Sequence, residues 1–478
     1  MANLSVLFVK EKVINQPEKL QKLRAKAQKL VKRGLDQHVK LAVTGLSKSG
    51  KTAFITSFIH HLTQPKSKLP FFSLQQQERF IAGKLVGQDD LSVASFDYGN
   101  ALNQLQLGKW PASTNRLNTL RLNIKYKPNS GLRAHLTDVS TLTIDIFDYP
   151  GEWLLDLPML DESFLAWNNR QFALLKEQPR AAHSETFINK LSQFDWAQEV
   201  DFDQLKQFAH EYRDLLLIFK NQCQLTQLQP GRLIMPGELE DAPITHFFPI
   251  PEIDQQTLLS APENSYLATL KTRYEQYKKD VVKTFYSNFF GGFDRQIILV
   301  DLLGALDKGR DALVEQSDVL KSLLKHFDYG KNNFLSRLFS PKIDKILFAA
   351  NKVDHLSVEH HKDLALLLNN LVLDAQNELN YQGVMVETMA MSSVKATKQV
   401  QVKESGEILN CIYGKSIESE QLLTYLPAQP PMRLLPPEQW PKNGFNFPSF
   451  YPMLNAQHQL EHVRLDHVIE YLIGDKVL

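Results

Sequence analysis

The stretch Gly45-Leu-Ser-Lys-Ser-Gly-Lys-Thr52 constrains this chain more than any other, because it fits Gly-x4-Gly-Lys-Thr at every fixed position. The residues before it, Lys40-Leu-Ala-Val-Thr44, form a short apolar run of strand type. Those after it, Ala53-Phe-Ile-Thr-Ser-Phe-Ile59, continue with a helical apolar pattern. Strand, glycine loop and helix is the setting a phosphate loop requires. Gly45 and Gly50 let the backbone N–H groups of the loop close around phosphate oxygens, with Ser47, Lys48, Ser49 and Ala53 in the same cradle. The Lys51 ammonium reaches the β- and γ-phosphates, and the Thr52 hydroxyl ligates Mg2+.

The rest of the chain supplies the strands such a loop needs. Leu120, Leu122, Ile124 and Tyr126 alternate with polar residues as a half-buried strand, and Pro128-Asn-Ser-Gly131 is a turn. Leu142-Thr-Ile-Asp-Ile-Phe147 is another strand, ending in Asp148-Tyr-Pro-Gly151. Gln296–Val300 and Lys345–Ala350 are near-continuous apolar runs, the signature of parallel strands covered on both faces, and Val384–Ala390 makes a sixth. Between Glu152 and about Phe290 the pattern is mostly helical, interrupted by Gly231-Arg-Leu-Ile-Met-Pro-Gly237. Pro427 to Pro452 holds eight of the 23 prolines, interleaved with Trp440, Phe445, Phe447, Phe450 and Tyr451, and reads as a strap laid over the core before a helix near Leu465–Ile473. The expected fold is α/β, a P-loop NTPase core with a mostly parallel sheet, a large helical insertion and a proline-rich C-terminal extension. Its divisions are a basic helix over 1–36, the core over 37–151 and 291–415, the insertion over 152–290, and the strap with its helix over 416–478.

Asn351-Lys352-Val353-Asp354 follows directly on a buried strand, at the sheet edge where ligands bind. Asn-Lys-x-Asp there is the guanine-reading signature, since the Asp carboxylate can accept from the guanine N1–H and exocyclic amine. Asp148-x-x-Gly151 and Asp301-x-x-Gly304 both fit the element that holds Mg2+ through an Asp and meets the γ-phosphate with a Gly N–H. Chain order favours Asp148. Trp110-Pro-Ala-Ser-Thr114 lies in the interval where a Thr closes over Mg2+ and the γ-phosphate; Thr114 is the choice and Ser113 the fallback. Met391-Ser-Ser-Val-Lys-Ala396 offers Ser393 and Val394 backbone N–H groups to the guanine O6.

Together the phosphate loop, Trp-Pro-Ala-Ser-Thr, Asp-Tyr-Pro-Gly-Glu-Trp, Met235-Pro-Gly-Glu-Leu-Glu240, Asn-Lys-Val-Asp and His462-Val-Arg-Leu-Asp466 resemble the YcjX family of bacterial stress-associated P-loop GTPases, over most of the chain. The resemblance implies a Ras-like core with a helical insertion, and a link to envelope stress through a neighbouring inner-membrane protein. Two positions depart from the small-GTPase pattern. Glu152 follows Gly151 where a Gln would orient the attacking water, and a carboxylate there could accept the water's hydrogen bond but repels phosphate oxygens, so slow turnover, or a base held elsewhere, is expected. Lys48 inside the loop can stand where cation-dependent GTPases hold potassium.

Composition narrows the alternatives. A net charge of +1 gives no reason to expect nucleic acid, and two cysteines, Cys223 and Cys411, make neither a disulfide framework nor a thiolate zinc site. No run approaches the roughly 18 apolar residues that span a bilayer, and the first residues are too short a stretch for a signal peptide. We therefore expect a cytoplasmic protein, with peripheral contact at the inner membrane as an option. The +1 is a cancellation: Lys10 to Lys40 carries ten bases against three acids, and Glu152 to Phe290 twenty acids against thirteen bases. The basic segment either meets the acidic insertion or approaches anionic lipid. Glu238, Glu240 and Asp241 form either a solvated acidic loop or a reporter of nucleotide state. His355, His360 and His361 read as a solvated helix start, and His60-His61 as imidazolium at a helix C-terminus. The expected function is a Mg2+-dependent GTPase switch binding GTP and GDP. The alternatives are a nucleotide-gated scaffold with negligible hydrolysis, or an ATPase or P-loop kinase.

Overall fold

In the computed structural model, residues 37–45, 48–65, 67–129, 137–288, 292–326, 343–442 and 444–477 are described. The basic segment 1–36 and Ser47 lie outside the described residues. The main sheet contains β1 (Gln37–Gly45), β2 (Phe80–Val86), β3 (Ala94–Ser95), β4 (Asn118–Tyr126), β5 (Ser140–Asp148), β6 (Arg295–Val300), β7 (Lys345–Ala350) and β8 (Met385–Ala390). They lie in the order β2-β4-β5-β1-β6-β7-β8, with β3 paired to β4. From β5 to β8 every pairing is parallel, while β4 runs antiparallel to β5 and β2 antiparallel to β4. The sheet is thus mixed and largely parallel, as expected from the apolar runs. β6 and β7 are buried at every residue, whereas β5 alternates buried with half-buried positions.

Each face of the sheet has its own cover. On one, Val39, Leu41 and Val43 of β1 pack against Phe54 and Phe58 of the Lys51–Thr63 helix and Leu465 and Leu472 of the C-terminal helix. On the other, Ala42, Ile298 and Phe348 share a single core with Leu303, Leu320 and Leu364 and with Tyr149, Trp153, Leu157, Phe208 and Leu216. The last five lie at the entry to the 152–290 segment or within it, so that segment shares the sheet's own core. The aromatic strap joins the same core through Phe445 and Phe447.

Two features escape the pattern reading. The edge strand β2 is one. The other is a three-stranded antiparallel sheet of β9 (Lys398–Glu404), β10 (Glu407–Lys415) and β11 (Leu422–Tyr425). It runs across residue 415, where the sequence reading ends the core. These strands are mostly exposed or half-buried, and Lys398-Gln-Val-Gln-Val-Lys-Glu404 has only two apolar residues to signal its alternation. Among the described residues no helix is long and apolar enough to cross a membrane.

The Gly231–Gly237 segment begins with a helical turn, Gly231–Ile234, pressed onto the 3-10 segment Gly151–Asp161. A Cβ on Gly231 would lie 1.9 Å from the Glu152 carbonyl oxygen, so only glycine fits. The Gly231 N–H donates to Asp156 Oδ1 at 2.7 Å, and the Tyr277 hydroxyl donates to Oδ2. Burial pushes the Asp156 carboxyl up to about 6, against the hydrogen bonds it accepts. A folded-state pKa above the unfolded one means that folding takes up a proton between about pH 4 and 6. This contribution is therefore full below pH 4 and lost as pH rises through 6, by on the order of 3 kcal/mol. Asp156→Asn keeps an acceptor for Gly231 and removes the titration. Denaturant midpoints from pH 4 to 7 should show the wild-type protein losing stability relative to the variant across that window; parallel curves would rule out the buried titration.

Candidate functional site

β1 lies between β5 and β6, with Val43 opposite Asp148 and Gly45 opposite Leu299. A Cβ on Gly45 would sit 2.1 Å from Ser49 Oγ and 3.0 Å from the Leu299 carbonyl oxygen. The chain then turns through Lys48 (φ 60) and Gly50 (φ 82), both left-handed. Gly50 is the N-cap of the Lys51–Thr63 helix and offers no side-chain cap. The first-turn N–H groups therefore have no capping side chain and face the loop, the arrangement that binds anions.

Lys51 is 9% exposed, and its ammonium donates to the Tyr149 carbonyl at 2.6 Å and faces Asp148 Oδ1 at 3.3 Å. The Thr114 hydroxyl donates to Asp148 Oδ2 at 2.7 Å and lies 3.4 Å from the Thr52 hydroxyl, which donates to the Ala112 carbonyl at 3.0 Å. Thr52, Thr114 and Asp148 thus come from three separate segments to one point. Ser113 lines the same cavity without that contact. Two hydroxyls and a carboxylate are the hard oxygen donors that suit Mg2+, and buried Asp148 Oδ1 accepts no hydrogen bond, so the set fits a small divalent cation. Asp301 is elsewhere: it caps the Leu302–Lys308 helix through the Gly304 N–H and pairs with Lys352.

Asn351 ties the loops together. Its Nδ2 donates to the Ser49 carbonyl at 2.8 Å, and its Oδ1 accepts from the Ser393 N–H at 3.1 Å. Asn351, Lys352, Ser393 and Val394 line the cavity. Asp354 does not. Its Oδ2 accepts from the Ala396 and Thr397 N–H groups at 2.7 and 3.0 Å, and its Oδ1 from the Ser392 hydroxyl. In this arrangement the carboxylate braces the Ser392–Thr397 loop, and the Ser393 N–H is likewise taken.

The cavity, about 320 Å3, runs from Gly45 and Lys48–Ala53 past Thr114 and Glu152 to Asn351. Its walls carry four lysines: Lys48, Lys51, Lys220 and Lys352. Burial, and then Lys308, Lys352 and Lys220, push the Lys48 ammonium down, with Asp301 opposing. Lys48 therefore sits among cations rather than as an isolated loop lysine. Glu152, which follows buried Gly151, does not stand bare against the cavity: Lys220 of the Phe202–Asn221 helix pairs with its Oε1 at 2.6 Å. Nothing in the sequence points to Lys220, because the 66 residues 154–219 separate it from Gly151–Trp153.

Other contacts close the cavity. Trp110 Nε1 donates to the Phe450 carbonyl at 2.8 Å, fastening the Thr114 loop to the strap. His355 is buried edge-on to Phe450, and burial pushes its imidazole down, so the expected solvated helix start is corrected to a cavity wall. His61 is likewise no imidazolium: burial beside His462 and His60 pushes it down to about 2. The Arg232 guanidinium stacks 3.2 Å from the Trp153 ring, and Trp153 Nε1 donates to the Met235 carbonyl at 2.8 Å. Glu238 faces Arg232 and Asp241 pairs with Lys206, so the acidic loop is ion-paired rather than merely solvated.

Four ammonium groups around uncapped N–H groups favour a polyphosphate. Pyrophosphate should raise the thermal midpoint by several degrees, and Lys51→Ala should abolish the shift; an equal shift in the variant would place the anion elsewhere.

The model of the YcjX-like family, DUF463, matches residues 39–477. A protein named Ras-like GTPase YcjX from Shewanella oneidensis is 38% identical over 481 residues, covering 96% of this chain and 98% of that protein. Another of that name, from Escherichia coli strain K12, is 37% identical over 466 residues, covering 96% and 100%.

Proposed function

This chain belongs to the YcjX-like family, and from that membership we propose that it binds GTP with Mg2+, hydrolyses it to GDP and phosphate, and switches state with the bound nucleotide. The carrying observation is the meeting of Thr52, Thr114 and Asp148 beside the Lys51 ammonium. A largely parallel sheet with the glycine loop at the end of a central strand supports a Ras-like core. The names of the relatives support GTP as the nucleotide.

Thr52, Thr114 and Asp148 would hold the cation, which would supply charge neutralisation to the phosphates. Lys51 and the N–H groups of the loop hold the phosphate oxygens. Water attacks the γ-phosphorus in line as the bond to the β,γ-bridging oxygen breaks; GDP leaves and the water's proton passes to the phosphate. Lys220 changes the role expected of Glu152. While paired, the carboxylate's charge is balanced; a phosphate that draws Lys220 away frees Glu152 to accept a hydrogen bond from the water. Lys48 adds cationic charge in cis. The insertion, which leaves the chain after Gly151 and supplies Lys220, is the segment that would move with nucleotide state.

Single-turnover phosphate release tests this directly. Thr114→Ala and Lys220→Ala should each lower the rate on the order of a hundredfold, and Lys48→Ala should lower it less. Wild-type protein that holds GTP without releasing phosphate would instead make it a nucleotide-gated binding module. Rates unchanged in Thr114→Ala would remove the proposed cation site.

One observation favours a second reading, a base-tolerant NTPase: the Asp354 carboxylate is engaged within the chain. Under the GTPase proposal it exchanges those partners for guanine. Competition binding should then show GTP preferred over ATP in the wild-type protein and the preference lost in Asp354→Asn. Retained preference would overturn guanine reading by Asp354.

A further inference from the structure

Outside the nucleotide cavity, three side chains come together with the composition of a metal site: His210, Asp241 and His246. His210 lies on the Phe202–Asn221 helix, Asp241 follows the 3-10 turn Gly237–Leu239, and His246 follows the turn Pro243–Thr245. His246 is 5% exposed, yet its Nε2 has no hydrogen-bond partner. A buried ring nitrogen left in that state needs a physical explanation, which a ligand would supply. It points toward Asp241 Oδ1 at 3.7 Å, too far for a hydrogen bond, while His210 Nε2 lies 2.9 Å from the same oxygen.

Those distances suit an ion. A tetrahedral ion about 2.0 to 2.1 Å from each donor sets neighbouring donors about 3.3 Å apart. The observed 2.9 and 3.7 Å fall on either side of that spacing, and the three donor atoms all lie within 4.8 Å of one another. The surroundings supply the outer contacts that hold ligands in place. Lys206 pairs with Asp241 Oδ2, leaving Oδ1 to face the histidines, and Arg273 donates to the His246 carbonyl at 3.0 Å. Two imidazoles and one carboxylate select a borderline transition ion over Mg2+ or Ca2+, which want an all-oxygen shell.

We propose that His210, Asp241 and His246 bind one divalent transition ion of the Zn2+ class, with a water completing four-coordination. The site staples the Phe202–Asn221 helix to the loop that leaves Met235. Both carry groups of the nucleotide cavity: Lys220 stands ten residues beyond His210, about 15 Å along the helix, and the Met235 carbonyl accepts from Trp153. The proposal does not depend on which nucleotide binds or whether it is hydrolysed.

The test uses the full chain, stripped with a chelator and desalted, then given Zn2+ in excess Mg2+ so that Thr52, Thr114 and Asp148 stay occupied. Nucleotide is absent throughout. Metal retained after gel filtration should reach one equivalent in the wild-type protein and fall to background in His210→Ala and Asp241→Asn. Both side chains are nearly half exposed, so the variants should keep the wild-type circular dichroism spectrum. Co2+ in place of Zn2+ should give the visible absorption of a four-coordinate ion in the wild-type protein only. No retention by the wild-type protein, or equal retention by both variants, would overturn the site, whatever the GTP experiments find.

Discussion

A buried ammonium cannot stand alone, and the placing of Lys51 governs how this site is assembled. At 9% exposure it has lost most of its water, and it recovers partners in the Tyr149 carbonyl and the Asp148 carboxylate. Those partners arrive through the β1–β5 pairing, whose register sets Val43 opposite Asp148. A slip of one residue would turn Asp148 to the other face and separate it from both Lys51 and Thr114. Sheet register, loop conformation and the cluster of oxygen donors are therefore one constraint.

How much of this was legible in the sequence depended on whether a feature is local. β6, β7 and the Leu465–Ile473 helix declare themselves because burial on both faces, or on one helical stripe, writes itself into consecutive residues. The convergence of Thr52, Thr114 and Asp148 was also within reach, since glycine-loop chemistry requires an oxygen donor in each of those intervals. The Glu152–Lys220 pair was not, because a contact between residues 68 positions apart leaves no periodic trace. Asp354 illustrates a different failure. The motif identified its loop, but the direction of a carboxylate is decided by which N–H groups the neighbouring loop leaves free, here those of Ala396 and Thr397. His355 and His361 read as solvated because histidine carries no hydropathy signal of burial.

Regional charge proved a poor guide to local charge. The 152–290 segment is acidic in total, yet it delivers the cations Lys220 and Arg232 to the Glu152–Trp153 stretch. The reason is that a group facing a carboxylate or an indole ring responds to that neighbour over a few ångströms, while the sum over a hundred residues is screened by solvent.

The same two contacts bear on how the 152–290 segment can answer to a ligand. Because Phe208 and Leu216 share a core with β6 and β7, the segment cannot swing on a linker as a separate body. Any response must be a local repacking between two discrete arrangements. Lys220 offers one, since its ammonium can satisfy Glu152 or a phosphate, but satisfies neither fully when shared. Arg232 offers the means of transmission. Its guanidinium is buried and stacked on Trp153, whose indole N–H donates to the Met235 carbonyl, so the neighbour of Glu152 is tied to the loop that ends at Asp241.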